Sequence, residues 1–376
     1  MNSNEISSSV VKASYWFPDG ENQEQDPRTS AQTIPSDLFT HLFCAFADLD
    51  ATTHEVFVSG AHEFIFSTFT ETVKNRNKYV QTLLSIGGIS ANNSAFASMA
   101  SKQESRKLFI DSWISIARAK GFHGLDLAWE YPSNKHEMKD FGHLVRDLRS
   151  AVDAESILTC KPTLLLTAAV YYSSVYKKYT YPVKVMEKSL DWVNIIAYDF
   201  YEPLSYSLFT APTAGLHVSS NNEGPTPSGD SGLKQWIKDG LSENKAVLGF
   251  TYVGWGWTLE NENDTGYHAP AAGVAKHEGV SEDGSINYAQ IIKFIGDEEA
   301  TYAYDSKVVG HYCFAEKTWI GYEDKQSVVT KVKYAEQNGL LGYFAWNVGA
   351  DDNSLLSTAA SKAWGIIGGV STTKCE

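Results

Sequence analysis

Cysteine is scarce in this chain of 376 residues, which contains four cysteines, at Cys44, Cys160, Cys313 and Cys375. Their wide spacing excludes the CxxC pattern of zinc ribbons and dithiol redox sites, and it leaves the pairing of any disulfide open. No group of potential ligands has the spacing of a metal site either. We therefore expect neither a metal nor an organic cofactor.

Long apolar runs and an excess of basic residues are also missing. No run reaches the roughly 18 apolar residues that a membrane-spanning helix needs, and residues 1–9 lack the apolar core of a secretory signal. The chain has 31 Lys and Arg against 45 Asp and Glu, which gives a net charge of −14. Because this charge repels phosphate groups, we expect neither nucleic acid nor a membrane surface as a partner.

Eight short apolar segments rich in β-branched and aromatic residues alternate with amphipathic stretches. Most of them lack polar alternation, as expected for strands that are covered on both faces. The segments are residues 11–17, 40–46, 79–86, 124–129, 164–172, 192–199, 246–253 and 340–346. Eight strands alternating with helices predict an α/β fold, a closed parallel (β/α)8 or TIM barrel.

The last two of these segments are much further apart than a barrel crossover requires. The intervening sequence contains a helical pattern around Tyr288 and a strand-like pattern around Val308. We therefore predict a small α+β insertion domain between strands 7 and 8, at residues 254–325. The barrel would comprise residues 10–253 and 326–366, with flexible termini at 1–9 and 367–376.

Two acidic residues lie at the end of the fourth segment, where active sites of such barrels gather. Side chains alternate along a strand, so Asp126, Ala128 and Glu130 share one face. Inward-facing carboxylates are costly unless they are paired, hydrogen-bonded or protonated. Asp126 and Glu130 are therefore candidate catalytic residues. The alternative is two acids with purely structural partners at a solvated strand end.

Residues 121–132 resemble the DxxDxDxE signature of glycoside hydrolase family 18, and the whole chain is similar to the plant class V chitinases of that family. The resemblance extends over nearly all of residues 10–366. Further matching segments are residues 14–17, 85–88, 197–201, 249–257, 318–322 and 342–353. Each segment alone is weak evidence for the family, but the order and joint occurrence of the segments are specific to it.

The resemblance implies hydrolysis of β-1,4 links between N-acetylglucosamine units, assisted by the acetamide of the substrate. Glu130 then corresponds to the general acid and Asp126 to the inner aspartate that tunes it. Tyr198 and Asp199 correspond to groups that hold the acetamide.

The resemblance also implies residues that bind the sugar. Tyr15 and Ser85 correspond to hydrogen-bonding groups around the inner aspartate, and Trp346 to the floor beneath the cleaved sugar. The candidate stacking platforms include four tryptophans, Trp255, Trp257, Trp319 and Trp346.

The departures from the family pattern matter more than the matches. Ala128 replaces an aspartate that orients the acetamide and balances the positive charge of the oxazolinium-like intermediate. Losing one such preorganised group costs about 3–4 kcal/mol. In residues 254–259, Trp255 replaces a tyrosine and Thr258 an arginine, and the loop at 202–207 lacks an arginine that active relatives tend to carry.

These departures favour a chitinase-like lectin that binds chitin oligosaccharides or other N-acetylglucosamine-containing glycans, of the chitinase-related agglutinin type. Three alternatives stay open. One is a weakly active class V endochitinase with Glu130 as the acid, and another is an engineered Asp→Ala variant of an active enzyme. The third is a structural or storage protein without a ligand. The resemblance further implies a secreted or vacuolar location.

Overall fold

The computed structural model describes residues 10–18, 30–218 and 226–365. The termini predicted to be flexible, 1–9 and 367–376, lie outside the described residues, as does Cys375.

Strands make up the barrel and a second sheet. Those in the described residues are β1 (Val11–Trp16), β2 (His41–Leu49), β3 (Val56–Phe57), β4 (Gln81–Gly87), β5 (Gly124–Ala128), β6 (Leu165–Tyr171), β7 (Val175–Tyr176), β8 (Tyr179–Thr180), β9 (Trp192–Ile196), β10 (Ala246–Thr251), β11 (Val253–Leu259), β12 (Ala271–Val274), β13 (Ser285–Asn287), β14 (Thr301–Asp305), β15 (Gly310–Ala315), β16 (Thr318–Tyr322) and β17 (Gly342–Trp346).

Helices connect most of the barrel strands. Those in the described residues are α1 (Glu63–Lys74), α2 (Asn93–Ser101), α3 (Gln103–Ala119), α4 (Lys135–Thr159), α5 (Val183–Ser189), α6 (Gly229–Asp239), α7 (Tyr288–Asp297), α8 (Lys325–Gln337) and α9 (Leu355–Ala363). None of these helices has the length and apolar character needed to cross a membrane. Short 3-10 turns occur at Ala31–Thr33, Ser36–Leu38, Glu243–Lys245 and Val348–Ala350.

Eight parallel strands close into a barrel. Their order is β1-β17-β10-β9-β6-β5-β4-β2, and β1 also pairs with β2, which closes the ring. Each predicted strand segment overlaps one of these eight strands. The predicted (β/α)8 barrel is thus confirmed, and its C-terminal strand ends bring the candidate residues to one face.

Alternation along β5 separates an outer from an inner set of side chains. Leu125, Leu127 and Trp129 pack in the apolar layer between the strands and the helices. Asp126 and Ala128 face the barrel interior, where Ala128 belongs to a second, smaller cluster of buried apolar residues. The two sets fill both sides of the sheet, and the period of two residues predicted from the sequence is confirmed.

The chain between barrel strands β10 and β17 forms a second, antiparallel sheet. Its order is β12-β11-β16-β15-β14, and β13 pairs with the free part of β11. Helix α7 follows β13 and buries Tyr288, Ile291 and Phe294. The chain returns to the barrel through α8. The second sheet thereby stands beside the C-terminal ends of the barrel strands.

The connection between β5 and α4 carries Glu130 and is tightly held. The Asn134 side chain caps α4 by accepting hydrogen bonds from the backbone N–H groups of His136 and Glu137. The Glu137 carboxylate accepts a bond of 2.6 Å from the backbone N–H of Ser133. This reciprocal capping fixes where the helix begins and therefore where Glu130 lies.

Candidate functional site

Asp126 is 0% exposed, and its carboxylate accepts hydrogen bonds from four side chains. Tyr15 Oη and Ser85 Oγ donate to Oδ2 at 2.7 and 2.6 Å. Thr167 Oγ1 and Asn194 Nδ2 donate to Oδ1 at 2.6 and 3.4 Å. Burial raises the pKa of Asp126, and the four hydrogen bonds oppose that rise. All four neighbours donate, so the carboxylate is fixed in orientation at the bottom of the site.

Ala128 places a methyl group one pleat above Asp126. The residue is 1% exposed and packs in a core cluster that also contains Tyr15, Tyr198 and Phe344. Its carbonyl oxygen lies so close to Gly87 that a Cβ there would be 2.1 Å away, and Gly87 has a φ of +115°. Only glycine allows this approach. The backbones of β4 and β5 therefore approach closely at this point, and the inward position on β5 between Asp126 and Glu130 carries a methyl group instead of a carboxylate.

Glu130 is half-buried directly beyond the end of β5. Burial raises the pKa of its carboxyl to about 8, and the charges of Asp199 and Asp126 add to the rise, while a hydrogen bond with Tyr131 opposes it. The carboxyl group is consequently protonated at neutral pH. A protonated carboxyl at the mouth of a barrel can serve as a general acid.

Tyr198 and Asp199 follow β9 and face the same space. Tyr198 is 7% exposed, and the charges of Asp199, Glu130 and Asp126 add to the effect of burial in raising its pKa. Its hydroxyl has no hydrogen-bond partner within the described residues. Asp199 adopts a left-handed backbone with φ +53° and accepts a bond of 2.7 Å from Trp255 Nε1. Burial and the charge of Glu202 raise its pKa to about 7, against that bond.

Aromatic rings form the opposite side of the mouth. Trp346, half-buried at the end of β17, stacks on Phe17 and Phe46 at centroid distances of 5.5 and 6.0 Å. A cavity of about 360 Å³ lies beside Phe46, Gly87 and Ser90, and its lining includes none of the candidate site residues. Flat aromatic surface opposite polar groups suits a sugar ring. No cluster of three or more His, Cys, Asp or Glu side chains suited to a metal ion occurs in the described ranges.

Comparison with known proteins decides the family. The sequence profile of glycosyl hydrolases family 18 matches residues 11–351, which is most of the chain. The chain belongs to glycoside hydrolase family 18.

Plant proteins are prominent among the relatives of this family 18 chain. It is 57% identical to a class V chitinase of Arabidopsis thaliana over 359 residues, 96% of this chain and 91% of the relative. A solved class V chitinase from Nicotiana tobaccum is 42% identical with a TM-score of 0.90, covering 95% of this chain and 99% of that one. The chitinase-like agglutinin of Robinia pseudoacacia is 40% identical with a TM-score of 0.84, at 95% and 100% coverage.

Two of the predicted stacking tryptophans are placed differently from our expectation. Trp257 and Trp319 are each 0% exposed and pack edge to face at 5.6 Å in the core of the second sheet. Their ring N–H groups donate to the backbone oxygens of Tyr206 and Thr265 at 2.8 and 2.9 Å. Because neither ring has surface left for a sugar, the prediction that they are stacking platforms is wrong.

Two of the residues that differ from the family pattern, Trp255 and Thr258, lie in different surroundings. Trp255 is 8% exposed and touches the site through its bond to Asp199. Thr258 Oγ1 donates to the backbone oxygen of Val274 at 2.8 Å. Thr258 therefore bonds within the second sheet, whereas Trp255 sets the position of Asp199.

Thr167 and Asn194 were not predicted as site residues. Each is a single polar residue inside a buried apolar strand, Thr167 in β6 and Asn194 in β9. Asn194 Oδ1 accepts a bond of 2.9 Å from Trp192 Nε1, which orients its amide toward Asp126. The polar interruption of an apolar run was the signal that could have found them.

Glu130→Gln should stabilise the fold at alkaline pH. Folded Glu130 has a pKa of about 8 against an ordinary value of 4.5, so the unfolded chain loses this proton at lower pH than the folded chain. The free energy of unfolding therefore falls as pH rises between these two values. Glutamine cannot ionise, and the melting-temperature advantage of the variant should grow by a few degrees from pH 4 to pH 9. An equal difference at both pH values would contradict the raised pKa.

Proposed function

We propose that this family 18 protein binds chitin oligosaccharides or related N-acetylglucosamine-containing glycans at the barrel mouth and cleaves them very slowly or not at all. The observation that carries the proposal is the methyl group of Ala128. It occupies the place on β5 where a second carboxylate would face the acetamide of the sugar in an active member of the family.

Asp126 is poorly suited to replace the missing carboxylate. It lies one pleat deeper, is 0% exposed, and has both oxygens engaged by donors. Moving it toward a sugar would break bonds to Tyr15, Ser85 and Thr167. No carboxylate of β5 could therefore move close enough to stabilise the positive charge that develops on an oxazolinium-like intermediate. This absence supports slow hydrolysis.

Binding is supported by one unpaired hydroxyl and one aromatic ring at the barrel mouth. The Tyr198 hydroxyl is unpaired in the described residues, and Trp346 offers an aromatic face across the mouth. Solved relatives bind such ligands. A mutant of the class V chitinase of Nicotiana tobaccum is known in complex with NAG4, and a family 18 chitinase of Cycas revoluta in complex with (GlcNAc)3.

A weakly active class V endochitinase is the second candidate. The raised pKa of Glu130 favours it, because a carboxyl that stays protonated at neutral pH can still donate to a glycosidic oxygen. This candidate predicts slow release of products with retained anomeric configuration. Chromatography of early products separates it from pure binding.

Calorimetric titration with chitin tetramer tests the proposal. The unmodified chain should bind the tetramer, and Trp346→Ala should weaken binding at least about tenfold, because a buried tryptophan contact commonly contributes 2 kcal/mol or more. Tyr79→Ala, at an exposed ring that precedes the N-terminal end of β4, is the control and should bind normally. No binding by the unmodified chain would refute the proposal, and normal affinity in Trp346→Ala would place the ligand elsewhere.

A further inference from the structure

A pocket on the outer helix layer of the barrel lies apart from the candidate site. Its volume is about 200 Å³, and none of the predicted site residues lines it. We call it the lysine pocket, and its lining residues are Lys135, Met138, Lys139, Tyr179, Thr180 and Pro182. One side of the pocket is therefore the beginning of α4, and the other is the hairpin β7–β8 with the residues that follow it.

Helix α4 contributes three residues of one face. Lys135, Met138 and Lys139 are three and four residues apart, and residues at this spacing are neighbours on a helix. Met138 is 4% exposed and supplies apolar surface, whereas both lysines are exposed. The acids of this part of α4, Glu137 and Asp140, fall on other faces because a turn takes 3.6 residues. Two ammonium groups therefore share the pocket side of α4 without an acid.

The hairpin on the opposite side carries two further lysines at its tip. Tyr176 pairs with Tyr179, so the turn between β7 and β8 consists of Lys177 and Lys178 alone. Their ammonium groups lie 5.4 and 5.6 Å from the ring centres of Tyr176 and Tyr179. Lys177 has a left-handed backbone with φ +56°, a conformation that favours glycine or asparagine. The tip thus presents two charges although its backbone would suit an uncharged residue better.

Packing fixes the two sides of the pocket relative to each other. A Cβ on Gly142 of α4 would lie 3.1 Å from Pro182 Cβ, so helix and hairpin segment are in close contact there. The ring of Tyr181 packs against Phe141 of α4 at 5.6 Å and against Trp236 at 5.2 Å. The walls of the pocket are therefore anchored in the core.

The charges around the pocket have no acidic partners. None of the ion pairs formed among the described residues includes Lys135, Lys139, Lys177 or Lys178. Residues 156–186 contain four lysines and neither Asp nor Glu. The whole chain has a net charge of −14, but exposed charges more than about 8 Å apart are largely screened at physiological salt. The pocket is therefore a locally basic site on an acidic protein.

We propose that the lysine pocket binds an acidic sugar, namely one unit of a short uronic acid oligosaccharide. A volume of about 200 Å³ accommodates a single sugar ring, and Met138 and Tyr179 offer it apolar and aromatic surface. The two lysines of α4 would pair with the carboxylate of this unit. Those of the hairpin lie on the other side of the pocket, where they would meet the carboxylate of an adjoining unit. Because this site is separate from the barrel mouth, the inference does not depend on the proposed function.

Calorimetric titration of the full chain with tetragalacturonate tests the inference at pH 7 and about 20 mM salt. The chain should bind this tetramer at least about tenfold more tightly than its uncharged methyl ester. About 500 mM salt should remove most of that preference, because charges are then screened over a few ångströms. Equal affinity for the acid and its ester would overturn the inference. Tighter binding of a sulfated oligosaccharide of the same length would overturn the assignment to a carboxylate.

The double variant Lys135→Gln/Lys139→Gln should weaken binding of tetragalacturonate at least about fivefold, because glutamine removes both charges but remains polar. Its matched control is Lys293→Gln/Lys317→Gln, which removes two exposed charges elsewhere and should leave the affinity unchanged. Both variants should melt at the temperature of the unmodified chain. Unchanged affinity in the pocket variant, or an equal loss in the control, would overturn the inference, whatever the titration with chitin tetramer shows.

Discussion

Ala128→Asp should raise the rate of chitin tetramer hydrolysis by at least about tenfold and by up to about a thousandfold. The new carboxylate would stand between Asp126 and Glu130, on the face that alternation along β5 directs into the barrel. There it could orient the acetamide and balance the positive charge that develops on it. Initial rates from chromatography of released products measure the gain.

The variant Ala128→Asn has nearly the same shape as Ala128→Asp but no charge, so comparing the two separates the effect of charge from that of shape. It fills the same space without a negative charge, so its rate should stay near that of the unmodified chain. Equal rates for Ala128→Asp and the unmodified chain would show that the missing carboxylate is not what limits cleavage. The contact of Trp255 with Asp199 would then be the first difference to examine.

Asp126→Ala should destabilise the barrel by about 3 kcal/mol or more. Removing the carboxylate leaves buried donors of Tyr15, Ser85 and Thr167 without their acceptor, and each unsatisfied buried group costs about 1–3 kcal/mol. Urea denaturation followed by circular dichroism measures the free energy of unfolding.

The control for this loss is Asp297→Ala, at an exposed aspartate in the last turn of α7. It should change the free energy of unfolding by less than about 0.5 kcal/mol. A stability of Asp126→Ala equal to that of the control would mean that the four hydrogen bonds do not anchor the barrel interior.

The barrel could be predicted because the residues of each strand have a local pattern that is typical of a buried strand. Segments such as β10 are short and apolar on both faces, and the helices between the strands are amphipathic. The inward placement of Asp126 and Ala128 followed from alternation alone. The role suggested for Glu130, in contrast, came from resemblance to family 18 and not from periodicity.

The partners of Asp126 could not be read from the sequence in the same way. Tyr15, Thr167 and Asn194 come from three strands that are distant along the chain, and only closure of the barrel brings them to one carboxylate. The error at Trp257 and Trp319 has a related cause. Whether a tryptophan faces a cleft or a core depends on the strand packed against it, and here β11 and β16 bury these rings against each other.

The most direct measurement is a time course of the unmodified chain with chitin tetramer at a concentration that saturates binding in calorimetry. The barrel should hold the tetramer throughout, and little product should appear over several hours. Rapid release of dimer by the unmodified chain would contradict the account, because a site without the carboxylate at residue 128 would then cleave as readily as one that has it.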